Sequence, residues 1–158
     1  MARFEKVADQ VIGEKIIEVK VKREDATRGR LRTIAAEGED LIIELPRGAT
    51  INNGDIFGPS EKGQYYKTLI EPEPVIKVTL EKAGGNRDVE NALRLGYSLG
   101  NRHLEVLIEG DAVYVPITIA EEKIQEMLRK TSLPINVETL QRVISTAARG
   151  YFAGEEEE

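Results

Sequence analysis

One histidine, His103, stands in a chain of 158 residues that contains no cysteine. Without thiols there are no disulfides, thiolate metal sites or cysteine nucleophiles, so any metal must be held through nitrogen and oxygen. Imidazole is a good donor for borderline divalent ions, but such ions usually want three or more protein ligands. A lone histidine is more often structural or merely solvated. A two-fold dimer changes the count, because an isologous interface brings the same residue of two chains together on its axis. Two His103 side chains could then share one ion, with water or carboxylates completing the shell. The flanking residues, Leu99-Gly100-Asn101-Arg102-His103, read as a helix ending at a glycine just before a strand. Asn101 could cap that end or orient the imidazole, and Arg102 could meet a partner or a carboxylate. Structural roles are the default for both.

Other chemistry is poorly supplied. The sole histidine has no Ser-His-Asp context, no G-x-x-x-x-G-K-[ST] loop occurs, and Gly84-Gly85-Asn86 is too short to cradle a nucleotide. The chain therefore reads as a non-enzyme. Its net charge of -6 disfavours phosphate backbones. Tyr97 and Tyr114 are the only aromatics between Val75 and Gly150, too few for base stacking. The N-terminal residues lack the apolar run of about 7–15 residues that marks a secretory signal, and no stretch approaches the ~18 apolar residues of a membrane span. The reading is cytoplasmic, with neither nucleic acid nor membrane as partner.

At 41% hydrophobic and 32% charged residues, the composition is that of a folding chain. Ile17, Val19 and Val21 alternate with charged neighbours, as do Leu41, Ile43 and Leu45, and turn residues such as Thr27-Arg28-Gly29 and Asn53-Gly54-Asp55 separate the runs. Residues 1–72 are expected to form a small all-β domain. Glu71-Pro72-Glu73-Pro74 suggests a linker, since neither helix nor central strand accepts two such prolines. Beyond it come a strand over Val75–Leu80 and a helix with Asn86 as N-cap. Val89, Ala92, Leu93, Gly96, Leu99 and Gly100 are expected on its inward face, the glycines permitting close approach. A hairpin follows about Gly110-Asp111, then a helix opened by a capping box over Thr118–Glu121, and a final strand over Ile135–Ile144. Residues 73–150 thus run β-α-β-β-α-β, the order of a ferredoxin-like unit, and the fold class is α+β. Residues 151–158 read as a disordered acidic tail.

The segment Leu99–His103, running through the hairpin to Val115-Pro116, resembles the signature of the urease accessory nickel metallochaperones, the UreE family. Leu45-Pro46-Arg47-Gly48, Ile51 and Asn53-Gly54-Asp55-Ile56 are similar to that family's strand-turn-strand. The resemblance covers nearly the whole chain. It implies a homodimer made by the ferredoxin-like domains, whose histidine pair binds Ni(II). It also implies delivery of the ion, through an accessory GTPase, to the urease apoprotein; Zn, Cu and Co are possible substitutes. His103 is the matching position. Family members commonly carry further histidines just after the hairpin, near Ile117–Ala120 here, and in a His-rich tail. This chain has neither, so one releasable nickel per dimer is expected. A proton competes with the metal for imidazole nitrogen, so affinity should fall below neutral pH. The four glutamates Glu155–Glu158 could approach the ion weakly, but a solvated tail is the plainer reading.

The rival reading is a binding module without metal. In it the β domain pairs an extended peptide or client by strand addition, and the second half merely dimerises. Tyr65-Tyr66 could offer one ring to a partner, although alternation in a half-buried strand puts one ring inside anyway.

Overall fold

The computed structural model describes residues 6–7, 15–35 and 37–144, and they fall into two compact units that divide between Glu71 and Pro72. Both α and β structure are present, as an α+β chain requires. The acidic tail expected over 151–158 lies outside the described residues.

In chain order the first unit holds β1 (Lys6–Val7), β2 (Ile16–Val21), α1 (Arg23–Arg28), β3 (Arg30–Ile34), β4 (Asp40–Glu44), β5 (Ile56–Phe57) and β6 (Tyr65–Ile70). One sheet has the order β1-β5-β6-β2, with β2 parallel to β6, and β3 and β4 form a separate antiparallel hairpin. Ile17, Val19 and Val21 are buried while their neighbours are not, as strict alternation requires. Tyr66 is buried and Tyr65 only half-buried, so one ring of the pair does face inward. The expectation of an all-β unit needs correcting at α1, where Thr27-Arg28-Gly29 is a helix end and not a bare turn. Glu24 and Asp25 in its first turn and Arg28 in its last complement the helix dipole. Gly29 closes it at φ 63, where a Cβ would lie 2.3 Å from the Ala49 carbonyl oxygen. A six-residue helix burying only Ala26 leaves no apolar period to read.

The second unit holds β7 (Glu73–Leu80), α2 (Asn86–Asn101), β8 (Leu107–Glu109), β9 (Ala112–Pro116), α3 (Glu121–Lys130) and β10 (Ile135–Arg142). Its sheet has the order β10-β7-β9-β8, every pair antiparallel. Ile76 and Val78 on β7 and Val115 on β9 pack with Leu95 and Leu99 of α2 and Ile124 and Leu128 of α3. Both helices therefore cover one sheet face. On the other face Arg142 at the end of β10 sits 3.9 Å from the Tyr114 ring centroid and pairs with Glu109.

Three local expectations fail in this unit. Pro74 lies inside β7, opposite Gln141, because it is only the second residue of the strand and its pairing with β9 begins one residue later. Neither expected side-chain cap forms. Gly85 is the N-cap of α2, and Asp88 instead accepts hydrogen bonds from the Ala83 and Gly84 N–H groups at 2.7 and 3.1 Å. The N-cap of α3 is Ala120, so Thr118 stands two residues too early to cap it. The third failure concerns the helix face. Leu95 and Leu99 point inward, whereas Val89 and Leu93 are 62% and 69% exposed. A Cβ built on Gly96 or Gly100 would meet nothing within 4 Å, so among the described residues these glycines permit no close approach.

Candidate metal centre

The site is built on the last turn of α2. A helix ends with carbonyls that lack intrahelical partners, and here two backbone N–H groups return to satisfy them. The His103 N–H donates to Gly100 O at 2.9 Å, and the Leu104 N–H donates to Leu99 O at 3.4 Å. This pair of bonds is a Schellman closure, which needs one residue in the left-handed conformation just past the helix. Glycine usually takes that place. Here His103 does, at φ 53. The left-handed region costs an L-residue about 1–2 kcal/mol, somewhat less for histidine, which is enriched there with Asn and Asp. The closure is anchored from inside, because Leu104 packs against the same core cluster that holds Leu99.

Asn101, Arg102 and His103 are all exposed. Asn101 is the last helical residue and Arg102 the C-cap. Among the described residues neither side chain makes a hydrogen bond or an ion pair, so nothing there ties them to the imidazole. The described residues also contain no cluster of three or more His, Cys, Asp or Glu able to hold a metal ion. A single chain thus offers one borderline nitrogen donor on an open surface. A closed structural site uses about four ligands, and the described residues of one chain gather no such set.

On the same helix runs an apolar stripe, of which Val89 and Leu93 were expected on the inward face. Val89, Leu93 and Tyr97, spaced by four residues on α2, are 62%, 69% and 75% exposed. Gly96 and Gly100 lie on the same side of the helix. The signal was in the sequence as two apolar stripes on one helix, of which a single sheet can cover only one. The stripe ends at Tyr97, six residues before His103.

The perturbed groups lie elsewhere. The Tyr66 hydroxyl donates to Glu39 and holds that carboxylate below its ordinary range, while burial, and then this carboxylate, push Tyr66 upward. Lys130 lowers Glu126 by hydrogen bonding to it on the outer side of α3. No helix among the described residues is long and apolar enough to cross a membrane.

Comparison with known proteins places this geometry in a family context. The profile of the UreE urease accessory protein C-terminal domain matches residues 73–157. The chain is 33% identical over 115 residues to the urease accessory protein UreE of Thermosynechococcus vestitus, covering 73% of this chain and 74% of that protein. It is also 33% identical over 115 residues to the protein of that name from Microcystis aeruginosa, covering 73% and 66%. Against that of Yersinia bercovieri it is 28% identical over 144 residues, covering 84% and 63%. Several of these relatives are matched over less than two thirds of their own length.

Proposed function

This chain belongs to the UreE urease accessory protein family, and we propose that it carries Ni(II) between two copies of itself, through His103 of each, and delivers it for urease active-site assembly. On this reading it is an accessory factor and not an enzyme. The ion is cargo, and Zn, Cu or Co could occupy the same donors. On this reading the partners are a second copy, the urease apoprotein and the urease accessory GTPase, met in the cytoplasm, and neither nucleic acid nor a membrane is among them.

One observation carries the reading: an exposed histidine held in a left-handed closure at the end of an uncovered apolar stripe. Val89, Leu93 and Tyr97 leave a surface whose burial by a second copy would remove apolar area from water and bring two helix ends together. Two imidazoles would then share the ion, with water or carboxylates completing the shell, where the described residues of one chain gather no set of three ligands. The sheet order β10-β7-β9-β8 with both helices on one face supports a ferredoxin-like unit over residues 73–150 as the dimerising and metal-binding half. Residues 1–72 are then left for partner contact. Asn101 and Arg102, exposed beside the ligand, are available to orient it or to meet the recipient.

The test is His103→Ala, measured for nickel uptake and for activation of a urease apoprotein in a reconstituted system. Loss of both with the fold and dimer intact is the expected result. Activation that survives the substitution would instead favour a binding module working through the first unit.

A further inference from the structure

We infer that Leu104 is the positioning residue of the His103 site, holding the imidazole ready through the backbone rather than through any side-chain bond; this rests on the metal-carrier reading above. In the usual arrangement a histidine ligand is oriented by a group that hydrogen-bonds its second nitrogen. Among the described residues no side chain does this for His103. What fixes it is the conformation of its own backbone at φ 53. That conformation opposes the intrinsic preference of an L-residue, so something must hold it. Leu104 does so twice, by donating its N–H to Leu99 O at 3.4 Å and by lodging its side chain against the core cluster containing Leu99, Ile124 and Leu128.

The end of α3 shows that this closure is not automatic. Ser132 is also left-handed there, at φ 56, and its N–H reaches Arg129 O at 3.2 Å. The following residue, Leu133, also packs against the core, but its N–H goes to the Thr131 hydroxyl at 3.3 Å instead of back to the helix. Leu133 is thus a matched control: a half-buried leucine in the same core, after a left-handed residue, with no histidine to present.

If Leu104 is truncated, residue 103 is freed toward ordinary backbone regions, and the fraction of chains with the imidazole in place falls. Apparent affinity falls by that fraction, about tenfold for each imidazole. The experiment titrates nickel chloride into full-length wild type, Leu104→Ala, Leu104→Met and Leu133→Ala. The φ of residue 103 is read from NMR scalar and residual dipolar couplings in the metal-free proteins. Leu104→Ala should weaken nickel about tenfold or more and move φ out of the left-handed region. Leu104→Met, which keeps the volume, should restore both. Leu133→Ala should lower the melting temperature while leaving both unchanged. Wild-type affinity in a folded Leu104→Ala, or an equal loss in Leu133→Ala, overturns the inference. Absence of nickel uptake by the wild type sinks the metal-carrier reading first, and this inference with it.

Discussion

Helices α2 and α3 lie on the same face of one sheet and each bury two residues toward it, Leu95 and Leu99 in one, Ile124 and Leu128 in the other. Their outer sides differ. On α3 the exposed residues Glu122, Lys123, Glu126, Arg129 and Lys130 are charged, with Glu126 and Lys130 paired at 3.0 Å. On α2 an ion pair of the same kind, Glu90 with Arg94, stands beside an apolar stripe of Val89, Leu93 and Tyr97. A helix that only covers a sheet needs one apolar stripe and gains solubility from charge on the other side. The second stripe on α2 adds little to the packing of the described residues, and exposed apolar runs of this kind mark interaction surfaces. The two helix ends differ in the same way. Both turn left-handed, but at α2 the strained position is filled by the one residue in the chain that can serve as an imidazole ligand.

The largest expected effect separates the two ends outright. His103→Ala should weaken nickel binding by more than about a hundredfold, whereas Ser132→Ala at the equivalent place on α3 should leave it unchanged in the same titration. Next comes the outer side of α2. Leu93→Glu combined with Tyr97→Glu puts two carboxylates into the stripe and should weaken self-association by about 3 kcal/mol or more, read by sedimentation equilibrium. Charge reversal at Glu122 on α3 should leave the dimer unaffected. If both helices responded alike, the contrast between them would have no functional content.

A smaller effect sharpens the comparison from the side of stability. Glycine relieves a left-handed L-residue but adds freedom to the unfolded chain, so His103→Gly and Ser132→Gly should each stabilise by about 0.5 kcal/mol in thermal unfolding. Only His103→Gly should abolish nickel uptake. A residue that lowers stability where it stands and is required for binding is placed there for binding.

The smallest effect is confined to the first unit. Glu39 sits below its ordinary 4.5 because the Tyr66 hydroxyl bonds to it, so its contribution is present above that pH and is lost as pH falls through the depressed value. Tyr66 sits above its ordinary 10.0, chiefly through burial, so its contribution is present below that pH and is lost as pH rises through the raised value. Denaturant unfolding should show this unit weakening at both extremes, and Tyr66→Phe should flatten the acid limb. The end of α2, which takes no part in this pair, should keep its nickel affinity in that variant at neutral pH.

Much of this was legible in the residues. Alternation at Ile17, Val19 and Val21 marks β2, Gly110-Asp111 marks the turn between β8 and β9, and the last segment is indeed a strand, Ile135–Arg142. What was not legible is where a period points. Spacings of three and four group Val89 with Leu93, and Leu95 with Leu99, but only the sheet decides which group is covered. Helix starts failed for a related reason. Asn86 and Thr118 have the right chemistry to cap, yet the loops that precede α2 and α3 place Gly85 and Ala120 there instead. For the candidate site, the lone histidine and the family resemblance single out His103, but neither shows its backbone conformation. In retrospect the signal is the pair Leu99 and Leu104, five residues apart, the apolar contact that accompanies a Schellman closure and sets the residue between them left-handed.

On the proposal made for His103, two chains hold an ion that one chain cannot. The sharpest test is nickel titration of the purified protein with the oligomer measured at each addition. One ion for every two chains, lost in His103→Ala while the dimer persists, is the predicted result; one tight ion per chain, or undiminished uptake by His103→Ala, would contradict it.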